Sequence, residues 1–457
     1  MPDNPTRSPL QLWTWVSIAV FAISLLALMA LQYQMPEEAG SFFGLNHDGV
    51  RMFREAFGQS SSEMEPGAFT LAFRLLLTIV WASYAAVVVL GMRGAIPKAK
   101  AIIGLVAITS VVLAVMWPAS LSVDSFIYIG YAKLKIVYGE NPYVSTPGFL
   151  SALGDPVGKF MVWDIPSPYA SIWTIISMGV VSLLKNAGIW WQDIAMKLIE
   201  AGTLVGAALA GRRIAGHLSP GRGNLALLAI GLNPLLLIEG PGNGHNDMLM
   251  VCLLMISVAL FMGRRWLLGA LLLGLSVGIK FVPITTLPWL LMEYLRGEKH
   301  PRKAAIGAAI VVLAILPTAL CYLPFMGDGP LLTGVIQRGT MGVHRPGLER
   351  ELTGNASHVA AGMLARLLFG NILLPTLVFI GLTVWLLFNR RPGRWLAAWV
   401  PFSVLLIPAT MGNPFPWYLI WPCALSLICW DRLSAWLAAL GLLVTFACTL
   451  LYTFPYL

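Results

Sequence analysis

A chain of 457 residues with 58% hydrophobic and only 11% charged residues is far more apolar than a soluble domain, in which about 25% of residues are charged. Its mean hydropathy of +0.76 excludes a disordered chain, a disulfide-held secreted scaffold and an ordinary cytosolic enzyme, and leaves a polytopic membrane protein. The net charge of +9 sits in short loops between apolar runs, as topology signals do, so no nucleic-acid partner is expected.

The apolar runs are unbroken over about 15–22 residues, which predicts spanning helices rather than the alternating strands of a β-barrel. In chain order they are Leu10–Leu31, Phe69–Met92, Ala101–Trp117, Ile194–Gly211, Asn224–Glu239, Met248–Met262, Trp266–Lys280, Val282–Leu295, Ala304–Leu323, Ile372–Asn389, Trp395–Met411, Trp417–Trp430 and Ala435–Phe454. The fold class expected is therefore an all-α polytopic membrane protein with about 13 transmembrane helices. The first run is too long for a signal-peptide core and has no small-x-small cleavage site, so it reads as a retained anchor. Cys252, Cys321, Cys423, Cys429 and Cys448 all fall inside apolar runs and read as packing residues, with neither a disulfide framework nor metal spacing.

A further run, Tyr169–Leu184, could span or lie flat. Positive charge decides it. If it lies in the outer interface as an amphipathic helix, the basic clusters at 93–100, 212–222, 264–265, 296–303 and 390–394 fall on one side. With Arg7 and Arg432 these hold seventeen of the 30 basic residues. The N-terminus is then cytoplasmic and the C-terminus external. Trp266–Lys280 and Val282–Leu295 are too short to cross side by side, and are expected as a partly penetrating pair shielded by neighbouring helices.

Three regions are expected: a membrane hairpin over 1–100, a membrane core over 101–303 with an external loop at 118–192, and C-terminal helices over 304–457 with an external loop at 324–371. Loops longer than about 12–15 residues are usually functional or disordered. These are rich in Trp, Tyr, Phe and Pro and are expected to pack as an external layer.

Asp124 follows the end of a predicted helix, with Tyr128 and Tyr131 at i+4 and i+7, on one helical face. A surface carboxylate beside aromatic rings suits a general base acting on a sugar hydroxyl. A helix N-cap is the competing reading, and both stay open at this point. In Gly240-Pro-Gly-Asn-Gly-His-Asn-Asp247, three glycines permit close approach of a ligand. There His245, Asn246 and Asp247 supply a switchable proton, an amide and a carboxylate; the plainer alternative is a tight turn with Asp247 capping the next helix. Arg338 and Arg345 could clamp a phosphate, or belong to a solvated loop. Lys280 is a charge inside an apolar hairpin, where it is paired, functional or snorkelling. Tyr418 lies in an aromatic-lined stretch, Pro416-Trp417-Tyr418.

Four stretches together resemble the glycosyltransferase C superfamily, and most nearly its bacterial polyprenyl-phosphate-mannose-dependent α-mannosyltransferases. They are Asp124-x-x-x-Tyr128 with Gly139-x-Asn141-Pro142-Tyr143; Trp163-Asp164-x-Pro166-x-Pro168-Tyr169; Asn233-Pro234 with Gly244-His245-Asn246-Asp247 and Gly274-Leu275-x-x-Gly278-Ile279-Lys280; and Pro416-Trp417-Tyr418. The resemblance implies an inverting transferase that moves mannose from a polyprenyl-phosphate donor to a lipid- or glycan-linked acceptor at the outer face of the bacterial plasma membrane. It implies Asp124 as general base. Candidates for the donor phosphate are His245, Lys280, Arg338 and Arg345. Candidates for the sugar or acceptor are Tyr128, Trp163, Asp164, Tyr169, Asn246, Asp247 and Tyr418. No cofactor or metal ligand is assigned, and dependence on a divalent cation is left open. The partners expected are the lipid-linked donor, the acceptor and membrane lipids. The alternative function is a transporter or flippase for a lipid-linked or polar solute, which would place charges near the midplane of several helices.

Overall fold

The computed structural model describes residues 7–36, 47–56, 64–161, 164–327, 329–331, 333, 373–391, 393–411, 416–428 and 443. Among them every regular element is helical. The elements are α1 (Arg7–Gln32), α2 (His47–Ala56), α3 (Pro66–Met92), α4 (Ala99–Met116), α5 (Asp124–Ile136), α6 (Gly148–Ala152), α7 (Ser171–Leu183), α8 (Ile189–Leu218), α9 (Gly223–Gly231), α10 (Pro234–Leu237), α11 (Asp247–Met262), α12 (Trp266–Val277), α13 (Leu287–Gly297), α14 (Lys303–Tyr322), α15 (Leu373–Phe388), α16 (Arg394–Met411) and α17 (Ile420–Ser426).

Among the described residues, five helices are long and apolar enough to cross a bilayer: α1, α3, α4, α8 and α14. They expose Leu12, Val20 and Ile23 on α1, Leu71 and Leu75 on α3, Ile108 on α4, and Val312, Ile315 and Leu316 on α14. Exposed leucine and isoleucine repeated along helix after helix suits a lipid surface, since water would penalise such a patch. Of the other expected spans, α11, α12, α15 and α16 are present as apolar helices, several of them short. Ala435–Phe454 lies outside the described residues.

Two expectations are revised. The run Asn224–Glu239 is not one helix: α9 and the helix that follows it meet at a bend of 52°. Pro234 has no backbone N–H to continue the ladder, and the Asn233 side chain caps the new helix by accepting from the Leu236 amide at 3.2 Å. Second, the described part of Trp417–Trp430 is a 3-10 turn, Pro416–Leu419, followed by the seven-residue α17. Helix α7 has 13 residues, about 20 Å at 1.5 Å per residue, too short to span. Helices α12 and α13, with 12 and 11 residues, are shorter still. The chain reverses between them at 278–281, and α12 packs between α11 and α14.

The core sits where α8 runs against α4, α9 and α11, with α5 and α7 stacked together at one end. Lys197 of α8 donates to the Trp117 carbonyl, where α4 has just ended, and pairs with Asp193 at 3.4 Å. The Gly278 carbonyl accepts the amides of Ile172 at 2.9 Å and Trp173 at 3.2 Å. The α12 reversal thus caps α7, and two remote stretches of sequence are tied into one floor.

Candidate active site

Asp124 opens α5 with its side chain buried. Val123 occupies the N-cap position and Ser122 Oγ accepts from the Asp124 amide at 3.1 Å. The helix start is thus served by Ser122, while Asp124 stands in the first turn. Tyr128, one turn on, directs its hydroxyl to Asp124 Oδ2 and to Asn246 Oδ1, both at 3.4 Å. Its ring meets Tyr169 and Trp173 edge-on at 4.8 and 5.0 Å between centroids. Tyr131 donates to the Ile165 carbonyl at 2.8 Å and fastens α5 to the stretch leading into α7.

The glycine-rich turn comes to the same place. After α10 the chain widens into a π turn, Ile238–Gly242, containing Pro241. Such turns recur at functional sites because they re-aim side chains within a helix. Gly244 has φ +75°, and a Cβ there would stand 3.0 Å from the Lys197 side chain, so the position requires glycine twice over. His245 follows, fully buried. Its Nδ1 lies 3.4 Å from Asp124 Oδ2 and its Nε2 lies 3.3 Å from Glu239 Oε2. Its ring stacks on Trp417 at 4.3 Å and 15°. Asn243 donates to the same Glu239 oxygen at 3.3 Å and accepts from the Leu121 amide at 3.4 Å.

The turn holding His245 lies outside the apolar segments on either side. Burial alone would favour loss of the histidine proton. The carboxylates of Asp124 and Glu239 outweigh it and lift the pKa from 6.5 to about 9. A charged imidazolium between two carboxylates is the form the geometry favours.

Beside it, Asp247 is fully buried and takes Lys280 Nζ at 2.6 Å on both carboxylate oxygens. Trp421 Nε1 donates to the same carboxylate. Lys280 also lies over the rings of Tyr418 and Trp421, at 4.9 and 5.7 Å from their centroids. Asp247 is therefore no simple cap: Asn246 holds the N-cap position of α11, and Asp247 is the partner of the charge on the α12 reversal.

Trp417 also meets Tyr418 at 5.6 Å, so of the residues singled out in the sequence, Asp124, Tyr128, Tyr169, His245, Asn246, Asp247, Lys280 and Tyr418 are linked by contacts into one cluster, buried except for the partly exposed Lys280. Asp164 stands apart: it is exposed and accepts the Gly148 amide at 2.7 Å, holding the start of α6. Trp163, Arg338 and Arg345 lie outside the described residues. Three participants were not singled out: Glu239, Trp421 and Lys197. Glu239 was hidden as the last residue of an apolar run, though an acid at that position was itself a signal. Among the described residues no group of three or more His, Cys, Asp or Glu is arranged to hold a metal ion.

Residues 20–296 match the family model for the alpha-(1->6)-mannopyranosyltransferase N-terminal domain. The chain belongs to this family. It is also similar to alpha-(1->6)-mannopyranosyltransferase A of Mycobacterium tuberculosis, 28% identical over 319 residues. That match covers 66% of the chain and 60% of the relative. No solved structure matches the chain. The family match takes in Asp124, Glu239, His245, Asp247 and Lys280, and ends before Tyr418 and Trp421.

Proposed function

We propose that the chain is an integral-membrane α-mannosyltransferase that moves mannose, with inversion, from a polyprenyl-phosphate donor to an acceptor at the outer face of the membrane. The relative's name supplies the linkage for this reading: the acceptor oxygen is a 6-hydroxyl, here in a lipid- or glycan-linked chain. Asp124 takes the proton of that hydroxyl. The oxygen attacks the anomeric carbon as its bond to phosphate breaks, and polyprenyl phosphate leaves with the bonding pair. Lys280 is the described cation suited to meet the charge on the leaving phosphate, with Arg338 and Arg345 as further candidates. Tyr128, Tyr169 and Tyr418 would offer ring faces to the sugars.

The observation that carries this is the setting of Asp124: a buried carboxylate 3.4 Å from the ring of His245, with the Tyr128 hydroxyl within reach. A carboxylate in a water-poor, aromatic-walled place, within reach of an incoming hydroxyl, is what a general base for a sugar hydroxyl requires. The transporter reading is weaker. The buried charges Asp193, Lys197, Glu200, Glu239 and Asp247 gather at the end of the helices where α4 gives way to α5, rather than spreading through several helix middles.

The test is Asp124→Asn in the full chain, purified into lipid and given radiolabelled polyprenyl-phosphate mannose with a mannoside acceptor. The expected result is a loss of transfer of about 10²–10⁴-fold with donor binding retained and the protein still folded. Near-normal transfer in a folded Asp124→Asn protein would defeat the assignment of the base. Absence of any transfer by the unsubstituted chain, with solute movement in proteoliposomes instead, would favour the transporter.

A further inference from the structure

His245 has carboxylates on both ring nitrogens, Asp124 at 3.4 Å from Nδ1 and Glu239 at 3.3 Å from Nε2. These contacts are charge pairs rather than aligned hydrogen bonds; a neutral imidazole would turn a lone pair toward one of two ionised acids, whereas the doubly protonated ring presents positive charge to both. The ring cannot swing toward a ligand without leaving its stack on Trp417, 4.3 Å away and nearly parallel. Nothing in the transfer chemistry above uses Glu239. It is fully buried and lies on the far side of the ring from Asp124. Asn243 fixes it by donating to the same oxygen that faces the histidine.

We propose, on the transferase reading above, that Glu239 is a positioning residue: it holds His245 as an imidazolium, and this cation keeps Asp124 ionised and aimed instead of binding the donor phosphate. Glu239, His245 and Asp124 form a relay of charge in which only the last meets substrate. Among the described residues, the other charges around the turn are the Lys197–Asp193 pair and Glu200 on α8, and the Asp247–Lys280 pair; the Tyr128 hydroxyl faces Asp124. Lys197 presses its methylenes on Gly244 and gives its ammonium to Trp117 and Asp193, and Lys280 is occupied by Asp247. Each of these two ammonium groups is thus held by its own carboxylate, and His245 is the described cation beside Asp124. Removing the negative charge of Glu239 leaves burial opposed by one carboxylate instead of two, so the ring surrenders its proton at lower pH.

The test uses the full chain in lipid nanodiscs with isotope-labelled histidine, the His245 signals being assigned by their loss in His245→Gln. At pH 7.5 the unsubstituted ring should carry protons on both nitrogens, and in Glu239→Gln it should carry one. The upper limb of kcat/KM against pH should move down by about one to three pH units in Glu239→Gln, and Glu239→Asp should restore it. A singly protonated ring in the unsubstituted chain, or an unchanged titration in Glu239→Gln, overturns the proposal. Should Glu239→Gln not fold, the unsubstituted spectrum decides alone, two protons supporting and one overturning. If the unsubstituted chain transfers no sugar at any pH, the transferase reading has failed, and the histidine spectrum still tests the relay by itself.

Discussion

Lys280 and Asp247 meet at 2.6 Å with the carboxylate fully buried. Breaking such a pair by removing one partner typically costs about 3–5 kcal/mol, because the other charge is stranded. Lys280→Met and Asp247→Asn should each lower the melting temperature strongly, and the double variant should recover much of the loss. If Lys280 also meets the donor phosphate, transfer will not recover with stability. A double variant that regains both would restrict the pair to architecture. His245 yields a second prediction. Its pKa in the folded chain, about 9, lies above the ordinary 6.5, so its contribution to stability is full below about 6.5 and is lost as pH rises through about 9. Melting temperature should decline across that window in the unsubstituted chain, and the decline should flatten in His245→Asn. An equal slope in both would remove the ion pairs from the account. Asp124, His245 and Asp247 were readable because polar residues crowded between apolar runs are conspicuous. Trp421 was not, since one of 17 tryptophans in an apolar run is indistinguishable from an interfacial anchor until its indole is seen to reach Asp247.

At the scale of elements, most helices were readable as runs, because length and apolarity decide whether a segment can span. The breaks were harder. The Asn233-Pro234 pair is a helix stop and start in one, yet nothing in the local pattern says that the π turn after it will swing Glu239 under His245. That depends on the backbone bonds from Asn243 to Ile238 and from His245 to Glu239, at 2.8 and 3.0 Å. The α12 reversal is similar: Gly278 lies inside a run read as apolar, and nothing local says that its backbone will come against α7. A Cβ at 278 would stand 2.3 Å from Ile172 Cδ1, well inside contact. Gly278→Ala should therefore cost about 1–3 kcal/mol through overpacking and reduce transfer, since α7 carries Trp173, which packs edge-on against Tyr128. Ile172→Ala in the same chain should restore part of both, read by thermal unfolding and transfer rate. Equal stability of Gly278→Ala and the parent would mean that α7 shifts freely and does not fix the aromatic wall.

At the scale of the whole molecule, sidedness decides which pool of substrate the cluster can meet. The short α7 and the basic loops point the same way. On the proposed topology, in which α7 lies flat, the loop 118–192 belongs to one face and the 212–222 turn to the other. The α5 layer has its own fastening on that face: Lys133 reaches Asp155 at 2.8 Å and Tyr138 donates to the same carboxylate at 2.8 Å. Burial raises the pKa of Asp155, but Lys133, the Val157 amide and Tyr138 together bring it below the ordinary value, so this clasp should loosen only in acid. Sidedness can be read with single cysteines in a chain whose native five are replaced. Ser151 is exposed on the loop that carries α6, and Ser219 follows the end of α8, at the basic turn. In intact cells an impermeant thiol reagent should label Ser151→Cys from outside and leave Ser219→Cys untouched until the membrane is opened. Retained transfer in both variants would show that the labelled chains are native. Outside labelling of Ser219→Cys with protection of Ser151→Cys would invert the topology. It would place Asp124 and its relay on the side where soluble nucleotide-activated sugars are available, and a polyprenyl-phosphate donor would no longer follow from the position of the site.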